Sequence, residues 1–240
     1  MQYNWDWSIF WQQSADGTGT YLDMLVRGFV VTLYTAFLAW ILALGFGSLI
    51  GVLRTLPGRV PSVISAAWIG YFRNIPLLVH LFLLYFVLPE VLPFGWGTWL
   101  KQLPASVLVT AVVGIGLFMS ARVAVQVEAG IRSLPPGQRA AGTALGLTTW
   151  QTYRYVLLPV AYRIMLPALT SDMINTIKNT SVALTIGLVE LTAAARAMQE
   201  MSYQIFEAFT VATIVYVTLN LVATAFAAAL ERRLLLPGQR

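Results

Sequence analysis

Residues 28–53 read GFVVTLYTAFLAWILALGFGSLIGVL, and no acidic or basic side chain interrupts them. The run exceeds the ~20 apolar residues that a helix needs to cross the hydrocarbon core of a bilayer. Of the 240 residues, 58% are hydrophobic and 10% are charged, whereas an ordinary soluble domain is about half apolar and about a quarter charged. So little charge cannot cover a water-facing surface. The sequence therefore predicts a chain whose main solvent is lipid.

Four further runs with few charges follow, and with the first they predict an all-α polytopic protein with five transmembrane helices. They cover about residues 61–88, 104–120 and onward, 153–187, and 208–230. Arg73, Asn74 and Pro76 lie inside the second run. Pro159 and Pro167 lie inside the fourth, and proline removes a backbone donor from a helix. Both of these runs are therefore predicted to be interrupted helices.

Small residues recur every four positions along the first run, at Ala43, Gly47 and Gly51. A stripe of small residues on one side of a membrane helix lets the backbone of a second helix approach closely. The stripe predicts that the first span packs tightly against another part of the protein.

The basic residues predict the orientation, because Lys and Arg concentrate in cytoplasmic connections. Nine fall on one side of the five predicted spans and three on the other. The nine are Arg54, Arg59, Arg132, Arg139, Arg154, Arg163, Arg232, Arg233 and Arg240, and the three are Arg27, Lys101 and Arg196. The N-terminus is therefore predicted outside and the C-terminus in the cytoplasm.

The N-terminal residues 1–23 contain three acidic groups and no basic one, which is the wrong sign for a cleavable signal. Their aromatic side chains, from Trp5 to Trp11, suit a membrane–water interface. A short helix on the outer face and a disordered aromatic tail both fit this composition. The predicted organisation is an outer amphipathic segment at residues 1–23, a transmembrane domain at 24–233 and a cytoplasmic tail at 234–240.

Several chemistries are excluded by what the sequence lacks. The chain has no Cys, and His80 is its single His, so disulfides, thiolate metal sites and His-rich metal clusters are not expected. The basic residues are scattered between apolar runs, which argues against nucleic-acid binding. No Gly-x-x-x-x-Gly-Lys-Ser/Thr loop is present, so ATP must be bound elsewhere. Five spans also cannot hold the paired repeats common in self-sufficient carriers, and no paired carboxylates suggest a membrane enzyme.

The connection between the third and fourth spans has the most specific pattern. Residues 133–147 read SLPPGQRAAGTALGL, in which the Pro-Pro-Gly sequence is expected to end the third helix. Gln138 to Leu145 then predict a short helix, and Gly146 is expected to stop it. Thr148 or Thr149 can cap the helix that follows. A short cytoplasmic helix too polar to span the membrane suits docking into a partner.

Seven residues here stand at the positions of the signature loop of binding-protein-dependent ABC permeases, which reads Glu-Ala-Ala, three residues, Gly, nine residues, Ile-x-Leu-Pro. They are Ala140, Ala141, Gly142, Gly146, Val156, Leu158 and Pro159. The Gly and Leu-Pro spacings agree, whereas Ala140 replaces the Glu. Residues 72–79 (FRNIPLLV), 178–181 (KNTS) and 186–191 (IGLVEL) resemble segments of polar amino-acid permeases. Within that family, the chain is most similar to permease subunits of glutamate/aspartate importers.

The resemblance implies a type I ABC importer permease in the bacterial inner membrane. It implies that residues about 133–152 form a coupling loop, whose short helix is seated in a groove of an ATPase subunit. The coupling residues are Gln138, Ala140, Ala141, Gly142, Leu145, Gly146 and Pro159. Without the Glu, shape complementarity is the main docking term. The implied partners are two ATPase subunits that bind ATP and Mg, a periplasmic substrate-binding protein and a second, non-identical permease chain, with a homodimer of permeases as the alternative. No cofactor is implied for this chain. Another polar amino acid as substrate and an ATP-independent carrier stay as alternatives.

Three basic residues, Arg73, Arg122 and Lys178, lie within predicted spans. A charged side chain at the bilayer centre costs at least about 2.5 kcal/mol, so each must face protein or water. Intramembrane ion pairs are one interpretation, with Asp172, Glu128 or Glu207 as the acids. Three bases against so few deep acids favour the other interpretation, a polar cavity.

The fourth run also carries polar residues at helical spacing. They are Ser171, Asn175, Lys178 and Thr185, with Asp172 and Asn179 beside them. Residues at this spacing share one side of a helix. The side either lines a cavity or packs against a partner subunit through hydrogen bonds, and polar residues at membrane depth favour the cavity.

Arg122 departs from the pattern of the family. In permeases that resemble this one, Ser120-Ala121 is commonly followed by an aromatic residue, with a Glu three positions later. Here these positions hold Arg122 and Val125, so a positive group is gained and a carboxylate is lost. A guanidinium binds a carboxylate through two parallel hydrogen bonds. We therefore expect Arg122 to bind one carboxylate of an acidic amino acid.

The same substrate has a second carboxylate and an ammonium group. Lys178 is expected to hold the second carboxylate, assisted by the amide of Asn175 or Asn179. Arg73 is a further candidate, at a gate or helix kink. Glu190 is expected at the outer rim, where it would meet the binding protein or the substrate ammonium.

Overall fold

The computed structural model describes residues 3–234, which are helical apart from turns and one isolated bridge between Gln13 and Thr20. From residue 235 onward the predicted tail, with Arg240, lies outside the described residues. The described α-helices are α1 (Tyr21–Thr55), α2 (Arg59–Asn74), α3 (Leu77–Phe82), α4 (Leu88–Val91), α5 (Trp96–Gln102), α6 (Ser106–Arg132), α7 (Pro136–Ala144), α8 (Thr149–Gln151), α9 (Leu158–Asn179), α10 (Leu191–Ser202) and α11 (Ile205–Leu234).

The all-α membrane fold predicted from the sequence is confirmed. Four helical stretches are long and apolar enough to cross a bilayer, namely Tyr21–Thr55, Ser106–Arg132, Thr149–Ile186 and Ile205–Arg233. A fifth span results if α2 and the helical run Leu77–Val91 count as one, and the chain bends by 104° between them. The expected interruption of the second run is therefore present, directly before and at Pro76.

The fourth span differs from the expectation that its prolines break it. Helical structure is continuous from Thr149 to Ile186, with Pro167 inside α9. A π turn at Thr152–Leu157 comes just before Pro159, and the Leu158 N–H bonds to the Tyr153 carbonyl, five residues back. The wider turn accommodates the missing N–H of the proline without ending the helix. After α9, a 3-10 turn covers Thr180–Ile186.

The described residues form two compact units. Within the described range, unit 1 takes in residues 3–39, Leu77–Ile115 and Thr176–Val222, and unit 2 takes in Trp40–Pro76, Gly116–Asn175 and residues 223–234. Helices α1, α6, α9 and α11 each contribute to both units.

The core of unit 1 gathers apolar side chains from the N-terminal segment and from α1, α10 and α11. Its buried members are Ile9, Phe10, Tyr21, Leu25, Leu191, Ala194, Ala195, Met198, Ala208 and Ala212. At Gly28 an added Cβ atom would lie 2.8 Å from the Cβ atom of Ala194. That distance is too short for two carbon atoms, so α1 and α10 approach closely because residue 28 has no side chain.

The N-terminal segment is an ordered part of unit 1. A five-residue 3-10 helix, Trp7–Trp11, is capped by Asp6, whose carboxylate accepts a hydrogen bond from the Ser8 N–H. Tyr3 donates its hydroxyl to Gln204 and Glu207, and the Asp6 N–H donates to Glu207 Oε1 at 2.8 Å. Of the two alternatives for this segment, the structure therefore has the short helix and not the disordered tail.

In unit 2 the small-residue stripe of α1 packs on α6. A Cβ atom on Gly47 would lie 2.5 Å from the Cβ atom of Val123, and one on Gly51 would lie 2.6 Å from that of Val127. Ala43 is fully buried. The close helix contact predicted from the stripe is confirmed, and α6 is its partner.

Candidate functional site

Unit 2 contains an ion pair between Arg122 on α6 and Asp172 on α9. The Arg122 Nε atom donates to Asp172 Oδ1 at 2.8 Å. The Asp172 side chain is 1% exposed, whereas that of Arg122 is 50% exposed. The pair thus joins a carboxylate shielded from solvent to a guanidinium that is half open.

Arg122 keeps most of its hydrogen-bonding capacity. A guanidinium has five N–H donors, and the contact to Asp172 uses the one on Nε. In the part of the chain that the structure describes, the two terminal nitrogens of Arg122 make no hydrogen bond or ion pair. The geometry therefore agrees with an intramembrane pair and also leaves an edge of the guanidinium open to a further anion.

The polar residues of α9 follow Asp172 along the helix. Asn175 lies one turn after it and is partly buried. Lys178 is exposed, and none of the ion pairs between described residues includes it. Asn179, partly buried, ends the helix. Asn175 belongs to unit 2, and Lys178 and Asn179 belong to unit 1.

Arg73 lies in the last turn of α2, three residues before Pro76. Its side chain is exposed, and it makes no ion pair among residues 3–233. The preceding position, Phe72, is buried. Arg73 is thus at a helix end next to a kink, as the sequence predicted, with an open guanidinium.

Glu190 is not at an exposed rim, so that expectation needs correction. The residue is fully buried and caps α10, with its carboxylate accepting from the Ala193 N–H at 2.8 Å and the Thr192 N–H at 3.0 Å. The Tyr216 hydroxyl donates to Oε2 at 2.7 Å. Thr32 on α1 accepts from the Leu191 N–H at 3.1 Å. Glu190 is therefore the centre of a polar network that joins α1, α10 and α11.

The other acids considered as partners of the membrane arginines have different contacts. Glu207 is bonded to the N-terminal segment, as described above. Glu128 lies 2.9 Å from Arg132 Nε and 3.6 Å from Arg54 Nε, so it joins the ends of α1 and α6. Of the three acids, only Asp172 meets a basic residue that the sequence places inside a span.

The loop between α6 and α9 is built as its glycines and threonines predict. Helix α7 begins at Pro136, so Pro136 and Gly137 start this helix, while α6 already ends at Arg132. Gly146 follows with φ +76°, a backbone conformation that side-chain-bearing residues rarely adopt. Thr148 caps α8 in a reciprocal capping box with Gln151.

Helix α7 packs against the beginning of the helical segment that follows it. Gly142 is buried, and a Cβ atom there would lie 2.9 Å from Cγ2 of Thr152. The Arg139 guanidinium lies 5.8 Å from the ring centroid of Tyr153, whose hydroxyl donates to the Thr55 carbonyl at 2.9 Å. Two large apolar side chains of this loop are solvent-exposed, Leu145 at 79% and Trp150 at 66%. The sequence did not point to Trp150, although a tryptophan in a short connection between two spans is a usable signal.

The amino-acid sequence of this chain is similar to those of known transport proteins. Residues 43–236 match the model of the binding-protein-dependent transport system inner membrane component. The glutamate/aspartate import permease protein GltJ of Escherichia coli K12 is 43% identical, over 99% of this chain and 98% of its own length. The glutamine transport system permease protein GlnP of the same organism is 31% identical, over 98% and 99%.

Two solved structures have the same fold. An amino acid ABC transporter crystallised with histidines matches with a TM-score of 0.75 and 28% identity, over 89% of this chain and 95% of the other. The inward-facing MetNI methionine ABC transporter matches with a TM-score of 0.70 and 21% identity, over 90% and 98%. At that identity the second likeness concerns the fold alone.

The chain belongs to the family of inner membrane components of binding-protein-dependent transport systems. It is a multi-pass permease subunit of an amino-acid ABC importer in a bacterial inner membrane. Family membership implies a separate ATPase, which binds ATP, and a substrate-binding protein. The permease itself supplies the membrane passage and catalyses no reaction.

Proposed function

We propose that this permease forms the membrane path for the acidic amino acids glutamate and aspartate. The observation that carries the proposal is the 43% identity, over 99% of the chain, to a permease named for glutamate/aspartate import. The glutamine permease is less similar, at 31%. The half-exposed guanidinium of Arg122 gives the proposal a physical basis within this chain.

Arg122 would recognise one carboxylate of the substrate through its terminal nitrogens. These nitrogens present two parallel N–H donors, which match the two oxygens of a carboxylate. Glutamine has nearly the shape of glutamate but a neutral side-chain amide, so shape separates the two poorly. A positive group in a partly desolvated site favours the anion, which gives the path a means of selecting charge.

Further residues of α9 would complete the path. Lys178 is exposed and without an ion pair in the described range, so it can hold a second carboxylate as a point charge. Asn175 and Asn179 would add amide hydrogen bonds. Arg73 would act near the kink at Pro76. Glu190 is left out of the path because its carboxylate is buried and bonded.

The proposed complex contains this permease, a second and non-identical permease chain, two ATPase subunits and a periplasmic binding protein. A pathway between two permease chains needs both, and each permease would dock one ATPase. Alternating access follows if closure of the ATPase dimer moves both docking helices.

Helix α7 is the proposed docking helix. The coupling residues would be Gln138, Ala140, Ala141, Gly142, Leu145, Gly146 and Pro159. Leu145 supplies an exposed apolar contact. Gly142 and Gly146 set the position of the helix, as their close approach and backbone conformation require. Because Ala140 replaces the Glu of the family pattern, apolar shape is the larger part of this contact.

The test is direct binding to the detergent-solubilised complex without its binding protein, because the binding protein selects substrate as well. The parental complex should bind glutamate more tightly than glutamine. Arg122→Gln should remove that preference and leave the complex assembled. The glutamine side chain at position 122 keeps an N–H donor for Asp172, and a hydrogen bond between charged groups contributes about 1.5–3 kcal/mol, so the preference should change by about tenfold or more.

Arg196→Gln is the matched control. Arg196 also donates through Nε to a carboxylate at 2.8 Å, but both side chains of that pair are exposed. Its substitution should leave binding unchanged. If the parental complex prefers glutamine, or Arg122→Gln keeps the glutamate preference, the proposal fails.

A further inference from the structure

The carboxylate of Asp172 is the most deeply buried charge-bearing group in contact with a membrane arginine. At 1% exposure it is shielded from water, so a carboxylate there needs polar partners inside the protein. Arg122 is one such partner, through a hydrogen bond of 2.8 Å from Nε to Oδ1. The side chain of Asp172 is thus held where it is by the protein, whereas the guanidinium extends from it into open space.

The position of this contact on the guanidinium decides what remains available. A guanidinium has one edge formed by Nε and a terminal nitrogen, and another formed by the two terminal nitrogens. Asp172 bonds at Nε, so the edge formed by the two terminal nitrogens stays open. Asp172 therefore fixes the direction in which Arg122 presents its open edge.

Asp172 also sets the charge that a substrate meets. Arg122 and Asp172 together carry no net charge, so an incoming carboxylate finds an arginine already partly neutralised. Its attraction to Arg122 is opposed by repulsion from Asp172 on the other side of the same group. The pair can hold an anion in place, yet it holds the anion less tightly than an isolated arginine would.

We propose that Asp172 is a positioning residue that also weakens the grip of Arg122 on an acidic substrate, so that the substrate is released during transport. The inference rests on the proposed function. A transport path must bind its substrate and then release it. An arginine without a neighbouring carboxylate, in a partly desolvated site, would bind an acidic substrate tightly and release it slowly. Asp172 adjusts that balance from a place the substrate cannot reach.

Asp172→Asn is the main test, in the complete complex. Asparagine keeps the shape and an oxygen acceptor for Nε but removes the negative charge. We expect the solubilised complex without binding protein to bind glutamate about tenfold more tightly, because the opposing charge is gone. Maximal uptake by the reconstituted complex with binding protein should fall, and KM should fall with it. A purely structural role would lower the amount of complex and leave both constants of the surviving complex unchanged.

Two further variants separate the possible outcomes. Arg122→Gln should abolish the glutamate preference, and if it does not, the proposed function itself fails. If Arg122→Gln has its expected effect but Asp172→Asn changes neither affinity nor maximal rate, this inference alone fails. Glu200→Gln, which removes the acid of an exposed Arg pair at the same distance, is the control and should change neither.

Asp172→Glu covers the case in which Asp172→Asn does not assemble. The glutamate side chain at position 172 keeps the negative charge but is longer by one methylene, so it should displace the open edge of Arg122. Glutamate binding should then weaken about tenfold, as a charge-assisted contact is misaligned. Unchanged binding in an assembled Asp172→Glu complex would overturn the positioning role.

Discussion

Gly142 of α7 and Thr152 meet at the base of the loop between α6 and α9, where a Cβ atom on residue 142 would lie 2.9 Å from both Cγ2 and Oγ1 of the threonine. The Leu147 N–H also donates to the Gly142 carbonyl at 3.0 Å. The glycine is therefore the point at which α7 rests on the beginning of the next helix. The orientation of the loop depends on the absence of a side chain there.

Gly142→Val should displace α7 and uncouple the importer. Overpacking a tight contact typically costs about 1–3 kcal/mol, which the small helix can relieve by tilting away. We expect substrate-loaded binding protein to stimulate ATP hydrolysis several-fold less, with the permease still inserted. The measurement is ATPase activity of the reconstituted complex. Gly137→Ala is the matched control, because a Cβ there would meet no atom within 4 Å other than those of its chain neighbours and its own helix backbone. Equal stimulation in both variants would refute the docking assignment of α7.

Glu190→Gln should destabilise the protein without altering substrate selection. The substitution keeps one acceptor for the α10 N-terminus but replaces the other oxygen with an amide donor. That donor would face either the Ala193 N–H or both the Thr192 N–H and the Tyr216 hydroxyl. Leaving buried polar groups unsatisfied costs about 1–3 kcal/mol, so the unfolding temperature of the purified complex should drop by several degrees. Glu200→Gln on the same helix is exposed and should be almost neutral. A Glu190→Gln complex of normal stability that no longer prefers glutamate would restore the substrate role.

The N-terminal segment should separate from unit 1 at alkaline pH. Partial burial, and the hydrogen bond donated to Glu207, raise the pKa of the Tyr3 phenol above its usual 10.0. A raised pKa means that the contact stabilises the docked state at pH values below 10. The stabilisation is lost as the pH rises through the raised pKa, when a phenolate would face a carboxylate. A nitroxide label at Gln13→Cys should become mobile only above pH 10. Tyr3→Phe in the labelled protein should remove that transition, and a transition near pH 7 would contradict the assignment.

Single cysteines should report the predicted orientation, since the chain has no cysteine of its own. Thr98 lies on exposed α5 and Thr143 on exposed α7. An impermeant thiol reagent applied to intact cells should label Thr98→Cys alone, and Thr143→Cys should react only after permeabilisation. Labelling of both in intact cells would mean that the five-span orientation is wrong.

Local features of the sequence predicted most of the fold. The uninterrupted run at residues 28–53 specified α1 because length and lack of charge suffice for a span. Gly146 and Thr148 in the loop were equally predictable, since each acts through the backbone of its own neighbours. The Pro-Pro-Gly sequence was not, because Pro136 starts α7 and α6 already ends at Arg132. The π turn ahead of Pro159 was not, because a widened turn and a broken helix both relieve the same missing donor.

The polar contacts were less predictable, because they join residues far apart in the chain. Arg122 and Asp172 are separated by 50 positions, and periodicity places each on its helix without saying which acid faces which base. Glu190 has Thr32 and Tyr216 as neighbours, 158 and 26 positions away. A glutamate just after a helix-breaking glycine, at Gly187, could have suggested a cap, but its burial depends on helices that the local sequence does not specify.

The close contacts of Gly47 and Gly51 on α1 with α6 limit how the two helices can move. The β-branched side chains of Val123 and Val127 on α6 pack against Gly47 and Gly51. Because these glycines have no side chain, α1 offers no rotamer change that could make room for the valines. Sliding α1 along α6 by even one residue would drive these valines into neighbouring side chains. Within unit 2, the register of α1 against α6 is therefore fixed. We expect these parts of the two helices to move as one rigid body during the transport cycle.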